Sequence, residues 1–429
     1  MSTRAGDCRL RRSPCKTLGP TLGETLGQTL GQTLGQTLGQ TLGPILGALL
    51  TAVLLGLLAV SPILAQGSQE GPTRDGRPTL VIAHRGASGY LPEHTLAAYT
   101  KAIEMGADFI EPDVVATKDG VLIARHEPML GATTDVADRA AYASRRRTRK
   151  IDGMDVTDWF ACDFTLEEIR QLRAKQPMPE REQALNGAFQ IPTLQEVIDL
   201  AKSKSAQLGR VVGVYPETKH PTFHQEEGLK LEDRLLQVLN EAGWTEPTSP
   251  VIVQSFEVAN LKYLRSKTRV RLVQLIDADD VGMDGSIVLK PPRDRPYDFT
   301  LARDPRTFKD LVSKAGLAEI KTYADGIGPW KRYIVAARQV DVDGDGKPDD
   351  LNGDGKIDER DRVLLPPSGL IKDAHEAGLF VHTWTFRNEP RRLASDFKDD
   401  PILEYKLFYA LGVDGVFSDF PDTALKARP

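Results

Sequence analysis

The chain is expected to fold as an α/β barrel, eight parallel strands with intervening helices closed into a (β/α)8 or TIM barrel. Three observations predict it. Eight short β-rich runs alternate with amphipathic stretches. Glycine follows several of those stretches, in "EMGAD", "EAGW", "KAGL", "EAGLF" and "ALGVDG", as it does at helix C-termini. The 429 residues suffice for one large α/β domain or two small ones. Alternation implies parallel pairing, and eight strands close most economically as a barrel. An open doubly wound sheet is the structural alternative.

The N-terminal 65 residues stand apart from the fold. Arg4, Arg9, Arg11, Arg12 and Lys16 make a positive start, followed by a low-complexity TLGQ repeat. The uncharged run Ile45–Val60 comes next, and the small residue Ala65 precedes a polar stretch. This is the pattern of a secretory signal peptide cleaved after Ala65, with residues 66–78 as a linker. A membrane anchor is the alternative, since an uncharged run of this length is borderline for spanning. Cleavage would remove five basic and two acidic residues, taking the formal charge from −5 to −8. The expected product is an exported protein, periplasmic or secreted, with no stable membrane span after processing. Nothing is basic enough to suggest nucleic acid. Of three cysteines only Cys162 lies beyond the leader, so no disulfide is expected in the mature fold.

The expected strands are Leu80–Ala83, Asp108–Pro112, Val211–Pro216, Val251–Gln254, Val270–Leu275, Thr322–Gly326, Leu379–Thr385 and Asp414–Ser418. The expected helices are Thr95–Met105, Leu194–Lys202, Leu229–Ala242, Val258–Ser266, Thr307–Ala315, Gly369–Ala377 and Ile402–Leu411. Val121–Arg125 breaks the alternation. It follows Val114–Thr117 after only "KDG", too short for a parallel crossover, so the two should form an antiparallel hairpin after the second strand. That hairpin returns His126 opposite Glu111–Asp113. Two insertions are expected: a polar segment from about Met129 to Gln190, and an acidic one at 338–362.

Barrel enzymes collect their working side chains at the C-terminal ends of the strands. Those positions hold His84 and Arg85, Glu111 and Asp113, His126 on the hairpin return, Glu217 and Lys219 in "YPETKH", Gln254 and Ser255, and Trp384. Singly, each has a plain explanation: a turn, a solvated strand face, a surface ion pair. Jointly, they converge. Three carboxylates suit Ca2+ or Mg2+, two imidazoles suit a base and an acid, and Arg with Lys suits a phosphate. Together they read as phosphodiester cleavage. Gly86 is expected to let the backbone approach the phosphate. His220, His224, His375 and His382 are expected to be structural or surface residues.

The stretches "HRGASGYLPEHT", "EPD", "RHEP", "YPETK", "QSF", "YADGIGP", "VHTWTFR" and "GVFSDFPD" resemble the glycerophosphodiester phosphodiesterase family, especially its exported, periplasmic type. The resemblance runs from about Val81 to Phe420. It implies a (β/α)8 barrel, a divalent cation (Ca2+ in the periplasmic type), and cleavage of small-molecule glycerophosphodiesters into glycerol 3-phosphate and an alcohol. Carried over by motif, Glu111, Asp113 and Glu217 would hold the metal, His84 and His126 would be catalytic, and Arg85 and Lys219 would hold the phosphate. Glu93 and Trp384 are placed with the substrate. His84 is assigned as base and His126 as acid, with a neighbouring substrate hydroxyl attacking first to give a cyclic phosphate. Two positions depart from the commoner pattern: His94 stands where many members have Asn, and Glu127 where Asp often follows the histidine. Alternatives are a lysophospholipid-cleaving enzyme on the same barrel and a non-catalytic exported calcium-binding protein.

The second insertion, "DVDGDGKPDDLNGDGKIDERD", spaces oxygen ligands as a calcium loop does. Asp350, Asn352, Asp354 and Asp361 fall at positions 1, 3, 5 and 12, with Gly355 at 6. Asp341, Asp343, Asp345 and Asp349 begin an overlapping copy whose twelfth position is Asn352. Additional structural Ca2+ is expected there.

Overall fold

The computed structural model describes residues 73–429. The expected signal peptide and the first part of the linker lie outside the described residues. The remainder is the expected barrel. Its first strand, Leu80–His84, pairs in parallel with Phe109–Glu111 on one side and with the last strand, Gly415–Ser418, on the other, which closes the sheet. Between them run Ile252–Ser255, Arg271–Ile276, Gly326–Pro329 and Phe380–Phe386, all parallel. An inward layer of Ile82, Phe109, Tyr215, Ile252, Val273, Phe380 and Phe417 fills the barrel, and a larger apolar layer lies between strands and helices.

The second and third barrel strands are each broken by a proline. Phe109–Glu111 stops at Pro112 and resumes as Asp113–Ala116; Gly213–Val214 stops before Pro216 and resumes as Glu217–Thr218. Proline has no N–H to donate to the ladder, so the strand bends there. The halves keep company: Phe109 pairs with Gly213, and Asp113 with Glu217. The bend leaves Glu111, Asp113 and Glu217 at one level.

The hairpin forms as expected. Asp113–Ala116 runs antiparallel to Leu122–Ala124, and the Arg125 amide donates to the Asp113 carbonyl at 2.9 Å, which sets His126 beside the acidic trio. Other elements differ from expectation. The sixth strand lies at Gly326–Pro329 rather than Thr322–Gly326, because the Tyr323 and Ala324 amides turn back to the Ile320 carbonyl and finish the preceding helix. The expected helix Thr307–Ala315 is two, Phe308–Leu311 and Lys314–Ile320. The Ser313 side chain caps the second.

The first insertion is less polar than its composition suggests. Leu130, Val136, Tyr142, Phe164, Ile169 and Ile191 form a separate small core with Val115 and Ile123 of the hairpin. The insertion also carries its own hairpin, Arg147–Ile151 with Met154–Asp158. The acidic insertion is clamped at its base by Ala337–Gln339 pairing with Arg362–Leu364. A third excursion, between the fifth and sixth barrel strands, was not expected. It holds the small hairpin Asp280–Val281/Ile287–Val288 and the helix Tyr297–Ala302.

Gly213 has no room for a side chain. A Cβ there would lie 2.1 Å from the Phe109 ring, which is itself packed edge-on to Tyr215. Gly213→Ala is expected to lower stability by about 1–3 kcal/mol, measured as a lower denaturation midpoint.

Candidate active site

The strand ends build one cavity of ≈ 660 Å³, lined among others by His84, Arg85, Glu111, Asp113, His126, Glu217, Lys219 and Trp384. One carboxylate oxygen from each of Glu111, Asp113 and Glu217 lies within 4.8 Å of the others, and all three residues are buried. Burial and mutual repulsion push Glu111 well above the usual carboxylate range and Glu217 up to about 8, although Lys219 partly offsets the latter. Asp113 goes the other way. Burial would raise it, but the Lys219 ammonium and the His94 hydrogen bond hold it well below. Without a cation, burial and crowding thus keep Glu111 and Glu217 from ionising readily, and Asp113 Oδ1 has no hydrogen-bond partner.

Each charged neighbour is fixed by a second group. Lys219 Nζ lies 2.8 Å from Glu217 Oε1 and 3.7 Å from Asp113 Oδ1. Arg85, in the left-handed region at φ 60°, donates its amide to Glu111 Oε2 at 2.7 Å. Its guanidinium meets Glu93 at 3.0 Å. Glu93 is buried and does not line the cavity, so it positions Arg85 rather than touching substrate, contrary to the sequence expectation. Burial would raise the Glu93 carboxyl, yet Arg85 holds it at about 2. His94 is a bridge: Nε2 lies 2.9 Å from Asp113 Oδ2 and Nδ1 2.8 Å from the Tyr99 hydroxyl. Arg125, fully buried, donates to the Glu93 and His94 carbonyls and shapes this loop. Packing alone already requires glycine at position 86, since a Cβ there would lie 2.8 Å from the Ala98 backbone of the first helix.

The two histidines are braced from opposite sides. His84 Nδ1 lies 2.6 Å from Asp419 Oδ1, at the end of the last strand. The other Asp419 oxygen accepts from Arg181 at 2.5 Å and Arg387 at 2.9 Å. Burial, with Arg85 beside it, lowers His84 to about 4 despite that carboxylate. His126 Nδ1 lies 2.9 Å from Glu127 Oε1, and its pKa is likewise lowered, first by burial and then by Arg85 and Lys219. Both rings are therefore neutral at pH 7, each with one nitrogen engaged by a carboxylate.

Gln254 donates to Glu111 Oε1 at 3.3 Å and lines the cavity; Ser255 bonds the Glu257 amide instead. The Trp384 indole donates to the Gly328 carbonyl at 2.7 Å, which sets its ring as a wall. His224, His375 and His382 are structural, as expected: His382 contacts the Tyr215 hydroxyl and His375 contacts Asp414. His220 is not. It reaches Glu127 and lines the cavity. The Asp419 cluster was also missed, although "GVFSDFPD" places that aspartate one residue past a strand end, where a brace for a neighbouring strand's histidine belongs.

Fold and site together define a barrel enzyme whose cavity suits an anionic, phosphate-bearing substrate. A model of the glycerophosphoryl diester phosphodiesterase family matches residues 84–423, and the chain belongs to that family. A glycerophosphodiester phosphodiesterase of Arabidopsis thaliana is 37% identical over 374 residues, covering 84% of this chain and 88% of the relative. One from Haemophilus influenzae is 31% identical over 371 residues, covering 81% and 89%. A crystal structure from Silicibacter pomeroyi given the same family name aligns with a TM-score of 0.52 at 20% identity, over 85% of this chain and 96% of that one, which supports the barrel.

Glu257, in the cavity wall, is raised by burial to about 8 from 4.5, against the hydrogen bond from Thr222. A carboxyl kept neutral in the fold but ionised in the unfolded chain makes stability fall as pH rises through that window. Glu257→Gln is expected to flatten the decline. Urea midpoints of parent and variant at about pH 5 and about pH 8 check it.

Proposed function

We propose that the protein hydrolyses glycerophosphodiesters to glycerol 3-phosphate and an alcohol, with a divalent cation at Glu111, Asp113 and Glu217 and with His84 and His126 as the acid–base pair. The observation that carries this reading is the meeting of both imidazoles with the acidic trio, Arg85 and Lys219 in one cavity. The trio fits a hard cation: three oxygen donors are gathered, Asp113 Oδ1 lacks a hydrogen-bond partner, and Glu111 and Glu217 are pushed up by burial and by a repulsion that a cation would relieve. Ca2+ and Mg2+ both suit such donors. When bound, the cation would neutralise a phosphoryl oxygen and acidify a nearby hydroxyl.

The chain's own groups supply the rest. Arg85 and Lys219 hold the phosphate oxygens. The substrate's neighbouring hydroxyl, held against phosphorus, outcompetes water through proximity. His84, neutral and held through Nδ1 by Asp419, takes its proton at Nε2. His126, neutral at rest with its proton on Nδ1, first takes a proton from solvent at Nε2, giving an imidazolium that Glu127 stabilises. The O–P bond of the cyclic phosphate then forms as the O–P bond to the alcohol breaks and the alcohol leaves with that Nε2 proton. Water then opens the ring with the two histidines exchanging roles, leaving glycerol 3-phosphate.

A second reading, cleavage of lysophospholipids at the same site, is favoured by one observation. Met129, Ile151, Met154 and Val156 of the first insertion line one side of the cavity, where the sequence suggested only a polar segment. Assays with glycerophosphocholine, glycerophosphoethanolamine and lysophosphatidylcholine separate the two. His126→Ala is expected to reduce turnover by about two to four orders of magnitude with folding intact, and chelation is expected to abolish turnover until Ca2+ or Mg2+ is restored. Near-normal rates after either treatment would refute the mechanism.

The leader supports export to periplasm or medium. Among the described residues no helix is long and apolar enough to cross a membrane. The acidic insertion is proposed to bind structural Ca2+ in two successive loops. Asp341 accepts from the Gly344 and Gly346 amides, and Asp350 from those of Gly353 and Gly355. Asp361 closes the second loop by accepting from Leu351 at 2.8 Å, and Asp349 closes the first by accepting from Val342. These bonds support a first loop that would end at Asp349. Asn352, hydrogen-bonded to the Asp354 amide, belongs to the second alone, unlike the overlap read from the sequence. The Asp341, Asp343 and Asp345 carboxylates lie within 4.8 Å of one another. Calorimetry on Asp345→Ala and Asp354→Ala is expected to show fewer calcium ions bound than in the parent; equal stoichiometry would refute the loops.

A further inference from the structure

His126 does not end at Glu127. The second oxygen of that carboxylate, Oε2, lies 2.8 Å from His220 Nε2, and His220 Nδ1 lies 2.8 Å from Asp152 Oδ2. Four side chains from three separate segments form one line: His126, Glu127, His220, Asp152. We propose that His220 is a positioning residue for His126, and that the hairpin of the first insertion completes the active site by holding His220 through Asp152.

The physical case begins with valence. An imidazole between two carboxylates at hydrogen-bond distance must donate from both nitrogens, and only the imidazolium does so. Burial disfavours that charge, but the bonds to Asp152 and Glu127 outweigh it and push His220 up to about 10. The ring is thereby a fixed cation with a fixed plane. A cation on Oε2 leaves only Oε1 of Glu127 for His126. Glu127 is otherwise free to turn, since its side chain is 35% exposed. With Oε1 pinned, the proton of neutral His126 sits on Nδ1, and Nε2 faces the cavity. Selecting the tautomer of a working imidazole through a partner on its other nitrogen is what second-layer carboxylates do.

The backbone around the line is built for it. His220 has φ 45° and Asp152 φ 48°, both left-handed and neither glycine. Pro221 follows at the start of the helix Pro221–Glu226, which fixes the direction in which His220 leaves the strand. Arg149 of the insertion hairpin pairs with Glu227 just beyond that helix and with Asp163 at 2.9 Å. Through Arg149–Glu227 and Asp152–His220 the hairpin is thus tied to the segment carrying His220 at two points. "YPETKH" and "RHEP" contain three of the four residues, but Asp152 lies in an insertion whose path the sequence does not reveal.

The inference rests on the reading of His126 as a working acid, and the test keeps the two apart. In the full chain, His220→Gln and Asp152→Asn are expected to lower kcat by about 10-fold or more with KM within about 2-fold of the parent. Long-range proton–nitrogen spectra of the histidine rings are expected to show the His126 Nδ1–H tautomer in the parent and a mixture in both variants. Asp152→Asn changes one atom on a surface hairpin and decides the outcome should His220→Gln fail to fold. An unchanged tautomer with parental kcat would overturn the role of His220. A fully active His126→Ala would overturn the catalytic reading instead, while the tautomer still reports whether His220 orients the ring.

Discussion

Three carboxylates sharing one buried space is the constraint that shapes this molecule. At the separation seen for Glu111, Asp113 and Glu217, like charges repel strongly wherever water is excluded. The surrounding chain answers that repulsion in layers. Lys219, Arg85 and His94 touch the trio directly. Glu93, Tyr99 and Arg125 then hold those groups or the loop that bears them. The first loop, with two non-glycine residues at positive φ, Arg85 and His94, is the conformational consequence.

The trio reaches that position through strand geometry. Alternate residues of a strand face the same side, so Glu111 and Asp113 both point inward while Pro112 between them points out. Register carries the pattern around the barrel: His84 aligns with Glu111, Asp113 with Glu217, and Glu217 with Gln254. One layer of the barrel mouth is therefore polar across four adjacent strands of the eight. The layer beneath, with Ile82, Phe109, Tyr215 and Phe417, is apolar. The boundary between the two is where the prolines interrupt the second and third strands. A broken ladder there lets the chain deliver charged groups without opening the core.

Much of this was legible in the sequence because strand ends announce themselves. An apolar run that stops at His84, or at Glu111, gives both an element and a direction, and the short "KDG" connection forced the hairpin that brings His126 home. What was not legible depends on contacts between segments far apart in the chain. Glu93 looks like a substrate ligand until Arg85 is seen to bend back onto it. Gly86 gives no hint in the sequence that Ala98 presses on it. His220 sits next to Lys219 in sequence, yet its meaning comes from Glu127 and Asp152, and neither has a local signal. The third excursion escaped notice because two-residue strands among Asp, Gly and Pro read as loop. The apolar lining of the cavity escaped because Met129, Ile151, Met154 and Val156 are scattered through a charged segment.

The two imidazoles are held with unequal firmness, and the inequality follows from where each brace originates. Asp419 is 1% exposed and takes three partners, so the His84 ring is locked from the barrel interior. Glu127 is more than a third as exposed as a free side chain and, among the described residues, is steadied beyond His126 itself by His220 alone. The rear brace is part of the fold, and barrel closure itself sets it, since Asp419 and His84 end adjacent paired strands. The front brace hangs from a hairpin and an insertion, elements that can vary without disturbing the barrel. On the proposed reaction, the ring locked from the barrel interior would be the one beside Glu111 and Arg85, and the ring braced from the insertion would be the one that meets the departing alcohol.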